Sequence, residues 1–489
     1  MISIGYDIGS SFVKAALFDI ESGKSLAVER VPEVEIPIMA HNIGWAEQDP
    51  LLWWEYLCKA TKSLIKKADI NPDQITSIGI CYQMHGLVLV DKDLNVLRKS
   101  IIWCDSRATS YGQKAFESLG RSYCKEHLLN SPGNFTASKL AWVIENEPSL
   151  YEKTYKFMLP GDFLVAKLTG ETQTTINGLS EGIFWDFKND LPSEALFKHY
   201  KIDQSLIPEI VPNFEEQAKV SKKASESTGL PIGIPVTYRA GDQPNGAFTL
   251  GARNSGDVVA TAGTSGVVYA LTDKFSGNEL TRVNTFAHLN YQSHKKTFGK
   301  LLNLNGAGIQ YRWLHQLMGS LGYEKLNHMA IDVPVGSNGL MVFPFGNGAE
   351  RMLNNKNLNG HISNINFNIH DNSHMVRATL EGIAFALIYG IEILKNDGVM
   401  IEQLKVGNDN LFLSDEFSKT IANTLGVSIE MLEATGAEGA AKASIYKLNK
   451  ETEEEKIKVT KTIRPNVNSY DQYYKAYENW KNQLTNNLI

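Results

Sequence analysis

The stretch DIGSSFVKAALF, Asp7 to Phe18, has a counterpart half a chain away in TAGTSGVVYAL, Thr261 to Leu271. With Asp7 laid on Thr261 the two stay in step: Gly9 falls on Gly263, Ser10 on Thr264, Ser11 on Ser265 and Val13 on Val267. Each reads as an apolar strand, a Gly-hydroxyl turn and a second apolar strand, the pattern of a β-hairpin. One such hairpin is ordinary. A matching pair, one heading each half, predicts an internal duplication: an α/β protein of two related domains, 1–247 and 248–489.

Tight Gly-hydroxyl turns present successive backbone N–H groups beside small side chains, a concave set of donors suited to phosphate oxygens. Two such turns facing each other across a cleft would hold a nucleotide's phosphate chain. The carboxylate of Asp7 repels phosphate and suits Mg²⁺ instead, bound through water, because Mg²⁺ keeps several waters and takes few carboxylates. Neither a Walker A sequence nor a protein-kinase glycine loop is present.

Composition sets the outer bounds. A chain of 489 residues implies two or three domains. With 43% hydrophobic and 21% charged residues it has the make-up of a soluble globular protein. A net charge of -6 argues against nucleic acid or an anionic membrane as partner. Cys58, Cys81, Cys104 and Cys124 form no CxxC pair, so neither a disulfide framework nor a zinc site is written there, and a reducing cytoplasm is expected. Met1 is followed by no signal-peptide pattern, and no apolar run is long enough to span a membrane. Whether the chain works alone or as a homodimer is left open.

The paired hairpins resemble the phosphate-binding motifs of the actin, hexokinase and heat-shock ATPase superfamily. Within it, the chain resembles the FGGY family of carbohydrate kinases from its first strand to its last helices. TASKLAWVIEN, from Thr136, is similar to one family signature, with Lys139, Leu140 and Trp142 in place; HMVRATLEG, from His374, is similar to part of the other. Asn134 and Asn364 depart from these signatures. The resemblance implies two duplicated actin-like, ribonuclease H-like domains with a catalytic cleft between them. It also implies ATP and Mg²⁺ as the phosphoryl-transfer partners and a small sugar as acceptor.

On the sugar side, SIGICYQMHGLVLV reads as a buried strand, a polar break at Gln83-Met84-His85-Gly86 and a second strand. Polar residues at the end of an α/β strand lie where such sheets bind ligands. Taken alone, His85 reads as a satisfied, partly buried histidine rather than a ligand. The tetrapeptide resembles the sugar-binding turn of the xylulose-specific members, which implies that Met84 and His85 meet the sugar. IIWCDSRA resembles those members' Trp-x-Asp-x-Arg turn, placing Trp103 and Asp105 at the pocket; the alternative is an Asp105–Arg107 turn that only packs beneath Trp103.

GDQPNGAFTLGA, from Gly241, follows the strand IPVTYRAG and opens a small-residue helix. By residue type Asp242 is a helix N-cap. The family match makes it the catalytic base, a carboxylate placed to take the proton of an attacking hydroxyl. Gln243 stands where the xylulose-specific members carry Asn and glycerol kinases carry Gln, and is assigned to the sugar.

The C-terminal half is expected to hold ATP. Gly9, Ser10, Ser11, Gly263, Thr264 and Ser265 are assigned to the phosphates. Gly306 and Gln310 in NLNGAGIQYRW match the family's strand–Gly–helix element. Gly407 in LKVGNDN is what remains of a Gly-Gly-Gly-Ala turn against adenine. ATGAEGAAKASIYKL is a Gly/Ala helix fit for close crossing against the helix after Asp242, with or without a hinge role. GNGAER resembles a Gly-Glu-Arg turn, and NKETEEEKIK is a solvated charge run. The expected activity is transfer of the γ-phosphate of ATP to the terminal hydroxyl of a ketopentose, D-xylulose giving D-xylulose 5-phosphate. The alternatives are another ketose or polyol (ribulose, sedoheptulose, glycerol), or a non-catalytic sugar- or nucleotide-sensing protein of the same fold.

Overall fold

A computed structural model describes residues 1–275, 277–433, 435–446 and 458–488. The first sheet is built from β1 (Ile2–Ile8), β2 (Val13–Asp19), β3 (Lys24–Val31), β4 (Ile75–Tyr82), β5 (Ala218–Lys219) and β6 (Pro235–Gly241), in the order β5-β6-β4-β1-β2-β3. The second contains β7 (Val258–Ala262), β8 (Gly266–Thr272), β9 (Asn284–Ala287), β10 (Phe298–Leu304), β11 (Gln403–Gly407), β12 (Ser428–Leu432) and β13 (Val459–Ile463), in the order β9-β10-β8-β7-β11-β12-β13.

The duplication expected from the hairpins extends through both sheets. In the first, β1 pairs antiparallel with β2 and β2 with β3, while β1–β4 and β4–β6 are parallel. In the second, β7–β8 and β8–β10 are antiparallel, and β7–β11 and β11–β12 are parallel. Five strands of each half thus share one topology. One detail differs between the hairpins. Ile8 pairs with Val13, so the first turn holds Gly9 to Phe12, whereas Ala262 pairs with Gly266, so the second closes one residue sooner.

The central strands read as nearly continuous apolar runs because helices cover both faces of each sheet. In the N-terminal half these include α1 (Pro50–Ala68), started by the Asp49 side chain accepting from the Leu51 N–H and by Pro50 in its first turn. The helices that position the site are α2 (Thr136–Asn146), α3 (Ile176–Glu181), α4 (Asp242–Thr249), α5 (Gly308–Leu317), α6 (Asn372–Asn396) and α7 (Gly436–Ala443). The mostly buried α6 runs through the core of the second half.

α7 is the Gly/Ala helix anticipated from the sequence, and it crosses between the halves. A Cβ on Gly5 would lie 2.0 Å from the carbonyl oxygen of Ala437, and one on Gly79 1.9 Å from that of Ala440. A C-terminal helix therefore sits directly on β1 and β4 of the N-terminal sheet. It meets α4 as closely: a Cβ on Gly439 would fall 1.7 Å from Thr249 Oγ1, and Asn245 donates to the Gly436 carbonyl at 3.0 Å. The run NKETEEEKIK, apart from Lys458, lies outside the described residues.

Candidate active site

The parallel strands β1, β4 and β6 end side by side, and their carboxyl ends carry Asp7, the Gln83–Gly86 turn and Asp242. Asp7 lies opposite Cys81, whose thiol is 3.6 Å from its carboxylate, and Lys14 stands 3.8 Å away. Burial raises the pKa of Asp7, and Lys14 works against that rise. Gly241, not Asp242, is the N-cap of α4, and no side chain makes a capping hydrogen bond there. Capping therefore does not account for the Asp242 carboxylate. Burial, reinforced by Asp7, pushes Asp242 up to about 7, while hydrogen bonds from Gln243 pull the other way.

His85 stands in the left-handed region, with φ of 63°, which costs a side-chain-bearing residue on the order of 1–3 kcal/mol. Its surroundings fix it there. Its N–H donates to Glu181 Oε1 at 3.2 Å, and its Nδ1 lies 3.0 Å from the Glu181 carbonyl oxygen. Its own carbonyl accepts from Lys139 Nζ at 2.8 Å. Burial first, and then Lys139, lower the His85 pKa to about 3, so the imidazole is neutral near pH 7. Phe135 meets its ring edge-on at 4.9 Å, and Phe286, from the C-terminal half, lies at 5.5 Å. Met84 is buried against Gly241, where a Cβ would be 2.5 Å from Met84 Cγ.

Lys139 gives the signature helix α2 a physical task. Its buried ammonium donates to the carbonyls of His85 and Ile102, at 2.8 and 2.9 Å, tying both sugar-side turns together. The second turn is itself built on a buried ion pair: Arg107 grips Asp105 at 2.6 Å, and Asp105 accepts from the Ala46 N–H at 2.6 Å. Asp105 is thus fully buried and committed to Arg107, while Trp103 is 53% exposed. Asn134, the departure from the signature, donates to the Asp105 carbonyl.

In the second half, the β7–β8 turn docks on the start of α5. The N–H groups of Gly308 and Ile309 donate to the carbonyls of Gly263 and Thr264 at 2.8 and 3.1 Å. A cavity of 610 Å³ opens beside it, lined by Gly263, Thr264, Gly308, Arg312, Glu324 and Asn410 among others. Gly306, Gln310 and Gly407 lie outside this lining. Gly306 is required by packing, because a Cβ would sit 1.3 Å from the Pro344 carbonyl oxygen. Asp409 folds back over Gly407, where a Cβ would meet its carboxylate at 3.2 Å. Asn410, with φ of 50°, lies beside Gly263, where a Cβ would be 3.8 Å from its Nδ2. In the first hairpin, the Ser10 carbonyl accepts from Gln48 Nε2 and the Ser11 carbonyl from the Ile36 N–H.

Sequence reasoning missed Glu181, Phe135, Phe286 and Asn410. Glu181 is fully buried, with Oε1 taken by His85 and Oε2 unpartnered, and burial holds its pKa well above the usual carboxylate range. The signal was a lone Glu in the apolar run NGLSEGIFW. The aromatic residues read as core, because only tertiary proximity to His85 distinguishes them.

The family models agree with this geometry. The N-terminal domain of the FGGY family of carbohydrate kinases matches residues 2–249, and its C-terminal domain residues 258–447. The xylulose kinase of Bacillus subtilis is 26% identical over 498 residues, covering 99% of this chain and 96% of the relative. Among solved structures, xylulose kinase from Rhodospirillum rubrum superposes with a TM-score of 0.88 at 22% identity, covering 99% of both chains. Plasmodium falciparum glycerol kinase with ADP also reaches 0.88, at 19% identity over 100% of this chain and 98% of its own. With both domains matched over residues 2–249 and 258–447, this chain belongs to the FGGY family of carbohydrate kinases.

Proposed function

We propose that the protein phosphorylates D-xylulose at its terminal hydroxyl, using ATP in the cytoplasm. Residues 1–247 hold the sugar and residues 248–489 the nucleotide. The observation that carries this reading is the convergence of Asp242, Met84 and His85 at the carboxyl ends of adjacent strands, beside Asp7. The relatives named xylulose kinase, at about one-quarter identity over nearly the whole chain, support the choice of sugar.

Asp242 accepts the proton of the attacking hydroxyl as the new bond to phosphorus forms. A carboxylate whose pKa is pushed to about 7 is a stronger base than an ordinary one and remains substantially ionised near neutrality. Neutral His85 and the backbone around Met84 orient the sugar. Asp7, partly exposed and facing Asp242, has the acidic surroundings that suit Mg²⁺ held through water, and the ion would neutralise the phosphate charge. The two hairpin turns hold the phosphates, and the 610 Å³ cavity takes the nucleoside. Closure of the halves keeps water from competing as acceptor.

The test is ADP release across a panel of ketoses and polyols. D-xylulose should give the highest kcat/KM. Equal or better turnover of glycerol would overturn the assignment and make Gln243 the better guide to the acceptor.

A further inference from the structure

The surroundings of His85 come partly from the other half of the molecule, through its ring contact with Phe286. Strand β9 runs along α3: Asn177 donates to the Ala287 carbonyl at 2.6 Å, Ser180 accepts from the Ala287 N–H at 3.0 Å, and Asn130 pairs with both backbone groups of Thr285. This clamp carries Phe286 to His85, and Arg351 reaches the same cluster from a separate turn of the C-terminal half. The guanidinium of Arg351 lies 5.5 Å from the centroid of the Phe135 ring, and Phe135 is the residue packed edge-on against His85. Arg351 is close enough to His85 for its charge to disfavour the imidazolium.

Arg351 is held without being neutralised. Its Nε donates to the Thr281 carbonyl at 2.6 Å, and Met352 and Leu353 anchor the same turn in the C-terminal core. Its neighbour Glu350 is turned away, accepting the Asn305 N–H at 3.1 and 3.0 Å. Arg351 is partly buried, and among the described residues burial alone, with no opposite charge beside it, lowers its pKa. Keeping an unpaired guanidinium in a partly closed site is costly, and guanidinium forks are well suited to oxygen acceptors in fixed geometry. The contacts run in order from Asp242 through Gly241, Met84 and Glu181 to His85, then to Phe135 and Phe286, and finally to Arg351. Arg351 therefore neighbours His85 through Phe135, and its charge is felt at His85 while Asp242 is governed by burial and Asp7.

We propose that Arg351 is a specificity residue of the acceptor site, contributed across the cleft by the C-terminal half. It donates to the oxygens of the sugar end remote from the phosphorylated hydroxyl, which in a 2-ketose are the carbonyl and the adjoining hydroxymethyl. This rests on the kinase reading above and adds to it the group that distinguishes a ketose from a short polyol.

The experiment measures sugar dissociation constants by calorimetry, and kcat and KM separately, for wild type, Arg351→Lys and Arg351→Met. The acceptors are D-xylulose and glycerol, which lacks the remote carbonyl end. Loss of a charged hydrogen bond should weaken D-xylulose binding roughly 10- to 100-fold in Arg351→Met. Glycerol and ATP binding should stay within about two- to threefold of wild type, and Arg351→Lys should fall between. D-xylulose binding within twofold of wild type in Arg351→Met would overturn the proposal. So would equal losses for both acceptors together with a lowered Tm, which would make Arg351 a structural contact between the halves. If wild type binds a different acceptor, the D-xylulose assignment fails on its own. The same comparison is then made with that acceptor and its analogue lacking the two carbons farthest from the phosphorylated hydroxyl.

Discussion

At the scale of single residues, Asp242 separates structure from chemistry. Because Gly241 caps α4 and the Asp242 carboxylate makes no capping bond, Asp242→Asn should leave Tm close to wild type. Losing the base should lower kcat by roughly 10²–10⁴-fold. A variant that folds, binds both substrates and turns over within a few-fold of wild type would remove Asp242 from the mechanism. The pH profile offers a second check. The base acts ionised, and its pKa is pushed to about 7, so kcat/KM should fall as pH drops through about 7 and level off above it. His85 cannot supply that limb, since burial holds its pKa near 3. A rate independent of pH between 5 and 9 would show that Asp242 is not the titrating base.

At the scale of elements, the decisive contact is α7 on β1 and β4. Gly5 and Gly79 have no room for a Cβ, and the obstructing atoms are backbone carbonyls that cannot swing aside. Gly5→Ala should therefore push the helix off the sheet and destabilise the protein by about 1–3 kcal/mol, the usual cost of overpacking. Because the same helix touches α4 behind Asp242, activity should fall along with Tm. An alanine at Gly246, which has open space around its Cβ position, serves as the control. Unchanged melting of Gly5→Ala would mean that the helix does not sit so closely in solution. The signature helix α2 belongs to this scale too: its lysine was visible in the sequence, but the two carbonyls it joins lie on turns 17 residues apart, at His85 and Ile102.

At the scale of the whole molecule, the contacts that join the halves among the described residues include two extended ones. α7 of the second half rests on the first sheet, and Asn130, Asn177 and Ser180 of the first half hold β9 of the second. Calorimetric unfolding should accordingly show one cooperative transition, although a chain of this length often unfolds domain by domain. Two resolved transitions would show that these contacts are too weak to couple the halves.

The duplicated hairpins, strand-ending polar turns and apolar strand pattern were legible because they depend on local chemistry: turn glycines, hydroxyls and the period of buried residues. From these the sequence alone determined the α/β class, the repeat and the placing of Asp7, Met84, His85 and Asp242 at strand ends. Tertiary structure decided which neighbours each of them has. Whereas the Asp105–Arg107 pair, two residues apart, was already an alternative in the sequence, nothing local reveals that Glu181 reaches the backbone of His85 or that Gly306 packs against the Pro344 carbonyl. The same holds for Arg351, which lies 266 positions from His85 along the chain. Burial, the raised pKa of Asp242 and the contact of Phe286 with His85 arise from distance in space, and that distance is set only when the two sheets and the helices between them pack together.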